Sequence, residues 1–238
     1  MVGGQLGVAT RDDGGVGHPG RTELVELPCR ALLVDVDGVL VDSDASVALS
    51  WSRWARERDL DPAEVLGTVH GRRTADTVAL LVGPDERARA LAAVDRYELE
   101  DVGSTTALPG AAELLGQLPA GAWAVVTSGR RELATARLAV AGLPVPAVSV
   151  CGEDVPAGKP DPAGYRRAAA ELGLPPGDCV VLEDSPPGVA AGTAAGATVV
   201  GVSERALASG ARLVVRDLRG LTWTGSGLGV DSGALLRS

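Results

Sequence analysis

Six short apolar runs punctuate the chain, at residues 31–36, 122–126, 145–150, 179–182, 198–202 and 213–215. None alternates with polar residues, which is the pattern of strands buried on both faces of a parallel sheet. The stretches between the later runs, 111–118, 132–141, 163–172 and 188–195, carry helical spacing. Strands and helices in alternation specify an α/β fold with a doubly wound, Rossmann-like parallel sheet. Phe is absent, so that sheet must be packed with Val, Leu and Ala.

The first interval breaks the rhythm. Between the first run and the strand-helix unit that begins near Pro109, the sequence reads as helices over 45–58, 74–82 and 85–100. A helical cap inserted after the first strand is therefore expected. The organisation that follows is an N-terminal extension over 1–28, an α/β core over 29–41 and 108–221, a cap over 42–107 and a tail over 222–238. The extension and the tail, rich in Gly with Asp or Ser, are expected to be flexible.

A net charge of −9 excludes a broad cationic surface for nucleic acid or anionic lipid. No apolar run is long enough to span a bilayer, and the start lacks the charge and apolar stretch of a signal peptide, so a cytoplasmic protein is expected. Cys29, Cys151 and Cys179 are odd in number and lack metal-site spacing, which favours buried thiols.

In open α/β sheets ligands bind beyond the carboxyl ends of the strands. The first run ends in Asp35-Val36-Asp37-Gly38, two carboxylates able to enter one crevice with a glycine for the turn. The second is followed by Thr127-Ser128-Gly129, hydroxyls and backbone N–H groups before a helix, a seat for phosphate. The third leads to Gly158-Lys159-Pro160, and the fourth to Glu183-Asp184-Ser185. Each has an ordinary explanation alone: an acidic turn, an N-cap, a surface lysine. Together at four strand ends they supply hard oxygen ligands for Mg²⁺ and a cation for phosphate. The glycines near Lys159 do not make a Walker loop, because the spacing is wrong and Pro160 occupies the hydroxyl position. Gly225 to Gly229 follow no strand-helix start, which argues against dinucleotide binding.

These motifs resemble, in order, those of the haloacid dehalogenase (HAD) superfamily, specifically its phosphatase branch with a helical cap. The resemblance covers roughly residues 32–218. It implies that Asp35 is the nucleophile, that Asp37 protonates the leaving oxygen and later activates water, and that Thr127 and Lys159 hold the phosphoryl oxygens, with Ser128 and Gly129 beside them. It implies Mg²⁺ bound by Asp35, Asp37 through its main-chain carbonyl, Glu183 and Asp184. The cap segment His70-Gly71-Arg72-Arg73-Thr74-Ala75-Asp76 is similar to that of members acting on glycerol phosphate and 2-deoxyglucose 6-phosphate, which implies substrate contacts from His70 and Arg73. Val47 stands where the family's mutases carry histidine, so water is the expected phosphoryl acceptor.

The expected activity is thus Mg²⁺-dependent hydrolysis of a small sugar or polyol phosphate by a monomer or weak homodimer. Phosphoglycolate hydrolysis and a β-phosphoglucomutase-like sugar-phosphate isomerisation are the alternatives. A catalytically silent scaffold would have lost part of the set Asp35, Asp37, Lys159 and Asp184, all of which are present.

Overall fold

The computed structural model of the protein describes residues 23–237. Strand β1 (Leu24–Pro28) precedes β2 (Ala31–Val34), and a short β3 (Val41–Asp42) leads into the cap. The cap comprises α1 (Asp44–Arg56), α2 (Pro62–Leu66), α3 (Thr74–Leu81) and α4 (Arg87–Glu100), after which β4 (Thr106–Ala107) returns antiparallel to β3. The core continues through α5 (Ala111–Leu115), β5 (Trp123–Val126), α6 (Arg131–Val140), β6 (Ser149–Val150), α7 (Ala163–Glu171), β7 (Cys179–Glu183), α8 (Pro186–Ala195), β8 (Thr198–Val202) and β9 (Leu213–Val215). It closes with β10 (Leu221–Trp223), β11 (Gly227–Asp231) and β12 (Leu235–Arg237).

The main sheet has the order β12-β9-β8-β7-β2-β5-β6, parallel except for β12. From central β2 the chain proceeds to strands on opposite sides, β5 and β6 one way and β7 to β9 the other. A crevice opens at the carboxyl end where the order reverses. Leu32, Val125 and Leu182 pack on one face of the sheet, and Leu33, Ala124 and Val181 on the other. Residues of both parities are covered, which is why the runs do not alternate.

The run at 145–150 forms less strand than expected. Only Ser149 and Val150 pair with β5, and Val145 is 50% exposed. Pro144 and Pro146 lack the N–H groups a ladder needs. The cap holds a further helix, α2, started by Pro62 and by Asp61, whose carboxylate accepts from the Ala63 N–H at 2.8 Å. The cap has its own apolar centre, in which Trp51 and Trp54 meet at 5.4 Å between ring centroids and pack with Val78, Val94 and Tyr97. Trp54 donates its indole N–H to the Ala90 carbonyl at 2.8 Å, so the polar edge of the ring is satisfied within that centre.

The expectation of flexible ends needs correction where the chain is described. Residues 1–22 lie outside the described residues, but Leu24–Pro28 form β1, and the supposed tail supplies β11 and β12. Strand β1 pairs antiparallel with β11, Leu24 opposite Asp231 and Leu27 opposite Leu228, while β10 flanks β11 on its other side. The glycines there serve close approach: a Cβ on Gly227 would run into the Leu27 carbonyl. Leu228 and Val230 are fully buried in the main core. Leu228→Ala is accordingly expected to cost about 2–5 kcal/mol in urea unfolding, the loss of a buried leucine in a core that relaxes only partly; an unchanged midpoint would show the segment to be loosely attached.

All three cysteines are buried and unpaired. Burial pushes the thiol of Cys29 up to about 12 and those of Cys151 and Cys179 up to about 11, so none is a ready nucleophile.

Candidate active site

Three strand ends and the loop after β6 bring Asp35, Thr127, Glu183 and Lys159 together. Asp35 follows β2 and is fixed by its own N–H, which donates to the Leu182 carbonyl of β7 at 3.1 Å. Its Oδ1 accepts from the Val36 N–H at 2.8 Å, and Lys159 Nζ lies 3.1 Å from Oδ2. Lys159 also donates to Glu183, the last residue of β7. Glu183 is wholly buried and accepts from Tyr165 Oη at 3.0 Å and from both the N–H and the hydroxyl of Ser185 at 3.0 Å. Gly38 adopts φ 75°, and a Cβ there would collide with the Asp184 carboxylate. Glycine therefore lets the first motif turn directly against the fourth.

Asp35, Glu183 and Asp184 are all buried and present carboxylate oxygens within 4.8 Å of one another. Burial raises the Asp35 carboxyl well above the usual range. Lys159 opposes that shift, and the neighbouring carboxylates add to it. Asp184 is pushed up to about 7, by burial and then by Glu183, against the pull of Arg205 at 3.1 Å. Glu183, despite its burial, is held low by Lys159. Burial works against the charge on Lys159, but Asp35 and Glu183 outweigh it and raise its pKa. Negative charge thus exceeds what Lys159 and Arg205 neutralise. A small dication among these oxygens would remove the excess, and an all-oxygen donor set suits a hard ion such as Mg²⁺.

The second motif sits opposite. Thr127 is anchored by its N–H to the Val150 carbonyl at 3.0 Å, and its hydroxyl accepts from the Gly129 N–H at 3.0 Å. Ser128 donates to the Gly71 carbonyl of the cap at 3.2 Å. One cavity under the cap is lined by Asp35, Asp37, Thr127 and Asp184 from the core and by His70 and Arg72 from the cap. His70 keeps an exposed edge, and burial of the rest beside Arg205 lowers its imidazole pKa.

Arg73 departs from expectation. It does not line this cavity; its guanidinium forks onto Asp76 at 2.7 and 2.8 Å and reaches the Val155 carbonyl at 3.2 Å and the Pro156 carbonyl at 3.4 Å. Arg73 precedes the first residue of α3 with extended backbone, so the neighbouring residue, Arg72, borders the cavity and Arg73 pins the cap to the core loop after β6.

Other residues at the site were not singled out from sequence. Arg137 on α6 is 3% exposed, donates to Asp37 Oδ2 at 2.9 Å and reaches Glu98 of α4 at 3.3 Å. Ser43 donates to Asp37 Oδ1 at 2.6 Å, Tyr165 braces Glu183 and Arg205 braces Asp184. A signal existed for the buried pair: Arg137 falls in the apolar stripe Leu133, Ala134 and Leu138, and Glu98 in the stripe Val94 and Tyr97. A charge on a buried stripe must find a buried partner.

Residues 29–196 match the model of a family described as haloacid dehalogenase-like hydrolase. Hexitol phosphatase A of Escherichia coli is 44% identical over 180 residues, covering 74% of this chain and 83% of that protein. Glycerol-1-phosphate phosphohydrolase 1 of Saccharomyces cerevisiae is 32% identical over 197 residues, covering 78% and 79%. A hydrolase from Pseudomonas syringae of known structure superposes with a TM-score of 0.71 at 26% identity, covering 79% of this chain and 94% of that one.

Proposed function

Because the chain belongs to the haloacid dehalogenase-like hydrolases and is a phosphatase, we propose that it hydrolyses a small polyol or sugar phosphate monoester with Mg²⁺ as cofactor, through an aspartyl-phosphate on Asp35. The observation that carries this reading is the convergence of Asp35, Asp37 and Thr127 on one cavity beside the three-carboxylate cluster, with Lys159 3.1 Å from Asp35. Asp35, Glu183 and Asp184, with the main-chain carbonyl of Asp37, would hold the ion. Bound there, it offsets the repulsion between a carboxylate and a phosphate dianion.

This chain's own groups supply the remaining steps. A carboxylate oxygen of Asp35 attacks phosphorus, the ester P–O bond breaks, and Asp37 gives its proton to the departing alcohol oxygen. Lys159 and the Thr127 hydroxyl, with the Ser128 N–H, hold the non-bridging oxygens, and the Gly129 N–H holds the Thr127 hydroxyl in place. Water then attacks phosphorus and yields a proton to Asp37. Inorganic phosphate leaves and the Asp35 carboxylate is restored.

Hydrolysis is favoured over transfer to a second sugar by Val47, which is buried and borders the cavity where a mutase would need a proton-handling side chain. The core over 29–41 and 108–221 carries the chemistry in this reading, and the cap over 42–107 the choice of substrate. His70 meets the leaving group at the cavity rim, while Arg73 acts as the clasp that keeps the cap seated. A panel of phosphate monoesters assayed with Mg²⁺ for phosphate release tests the reading. Hexitol, glycerol and 2-deoxyglucose phosphates are expected to be cleaved at least tenfold more efficiently than phosphoglycolate. Equal or reversed preference would exclude the proposed substrate class.

A further inference from the structure

The cavity contains a second set of buried polar groups that the phosphoryl chemistry leaves unused. Glu98 reaches in from α4 and is 4% exposed. Its contacts are few and long: Arg137 Nη2 at 3.3 Å and the Thr74 hydroxyl at 3.4 Å. Burial raises its carboxyl pKa, with Arg137 opposing; the Trp51 indole N–H also works in the lowering direction, although its geometry falls short of a hydrogen bond. A buried carboxylate this thinly satisfied has acceptor capacity to spare.

Unmatched donors belong to residues of the same cavity wall. Among the described residues, four buried side-chain polar atoms lack a partner, and two of them, Trp51 Nε1 and Arg137 Nε, belong to residues lining this cavity. The other two, in Ser46 and Thr105, belong to residues that do not. Val47, Val69 and Leu133 complete the wall beside the polar groups. A carboxylate acceptor, the Trp51 and Arg137 N–H donors beside it and apolar flanks match a leaving group whose C–H surface carries several hydroxyls, since each hydroxyl both donates and accepts.

We infer that Glu98, with Trp51 and Arg137, forms the subsite that selects an uncharged polyhydroxylated leaving group and rejects one bearing a carboxylate. The inference rests on the phosphatase reading above and deepens it. Rejection follows from the same geometry: a second anion beside Glu98 would be desolvated next to like charge. Of the cations lining the cavity, Arg137 is paired with Asp37 and Glu98 and Arg205 with Asp44 and Asp184, while Arg72 is exposed and Glu98 buried.

Glu98→Gln keeps the shape and removes the charge. Its test uses two ratios, each taken against p-nitrophenyl phosphate so that damage to the common chemistry cancels. kcat/KM for glycerol or hexitol phosphate is expected to fall tenfold or more relative to p-nitrophenyl phosphate, the scale of losing hydrogen bonds to a charged group. The same quantity for phosphoglycolate is expected to rise threefold or more. A smaller change in either ratio overturns the subsite and leaves Glu98 as a packing partner of Arg137. If the wild-type enzyme cleaves no polyol phosphate, the substrate class proposed above fails by itself, and the phosphoglycolate ratio alone decides the role of Glu98. Should Glu98→Gln not fold, Trp51→Phe, which removes the indole N–H together with part of the ring, carries the test, read against p-nitrophenyl phosphate so that the packing loss cancels. There the polyol ratio is expected to fall threefold or more, and a smaller fall overturns the proposal.

Discussion

Asp35→Asn is expected to reduce phosphate release by roughly four orders of magnitude or more while the fold survives, as removal of a nucleophile with no substitute does elsewhere. The amide fills the same space beside Lys159, and its single oxygen keeps one of the two contacts that Asp35 makes through separate oxygens, to the Val36 N–H and to the ammonium group. It lacks the anion that attacks phosphorus. Burial already disfavours the charged form of Asp35, so a neutral replacement does not add a desolvation penalty. Single-turnover phosphate release, alongside thermal unfolding of the same sample, checks both halves. Near wild-type release from a folded variant would remove the covalent mechanism.

Metal removal is the second large effect. Excess EDTA is expected to abolish activity, Mg²⁺ to restore it, and Ca²⁺ to inhibit, because its longer bonds and higher coordination number displace Asp35 from the line of attack. A readout independent of turnover is available: Mg²⁺ at about 100 times its Kd should stabilise the folded protein by about 2.7 kcal/mol. Asp184→Ala is expected to abolish that gain along with activity. Glu183→Ala should also damage the Lys159 arrangement, since Glu183 joins Lys159, Tyr165 and Ser185. Full activity in excess chelator would dismiss the metal site.

The catalytic core was legible because its signals are one-dimensional. A buried parallel strand writes an unbroken apolar run, and whatever follows that run lies at the sheet's carboxyl edge. Asp35, Thr127 and Glu183 could be placed for that reason. Lys159, set back on a loop after β6, reached the site through motif order. The cap was legible as helices but not in its aim. A shift of one residue at the start of α3 exchanges Arg72 for Arg73 at the cavity, and the sequence holds no record of which side chain finds Asp76 and the carbonyls of another loop. Arg137 and Glu98 were hidden by distance along the chain, each needing the other to justify its burial. The ends were misread because glycine has two uses: composition signals freedom, whereas Gly227 serves close contact between strands.

The pairing of β1 with β11 also sets a timetable. Leu24 is made long before its partner Asp231, and β2 cannot be enclosed until β5 and β7 have both been made. The earliest apolar segments of the core must therefore wait for the latest, a topology that folds slowly and leaves strand edges open meanwhile. The cap differs: its centre joins only residues between Val47 and Tyr97, a contiguous stretch that can collapse while the rest is still being translated. On the ribosome the part proposed to choose the substrate would take shape before the part that cleaves it, and an immature chain stalled before β11 would expose β1 to aggregation.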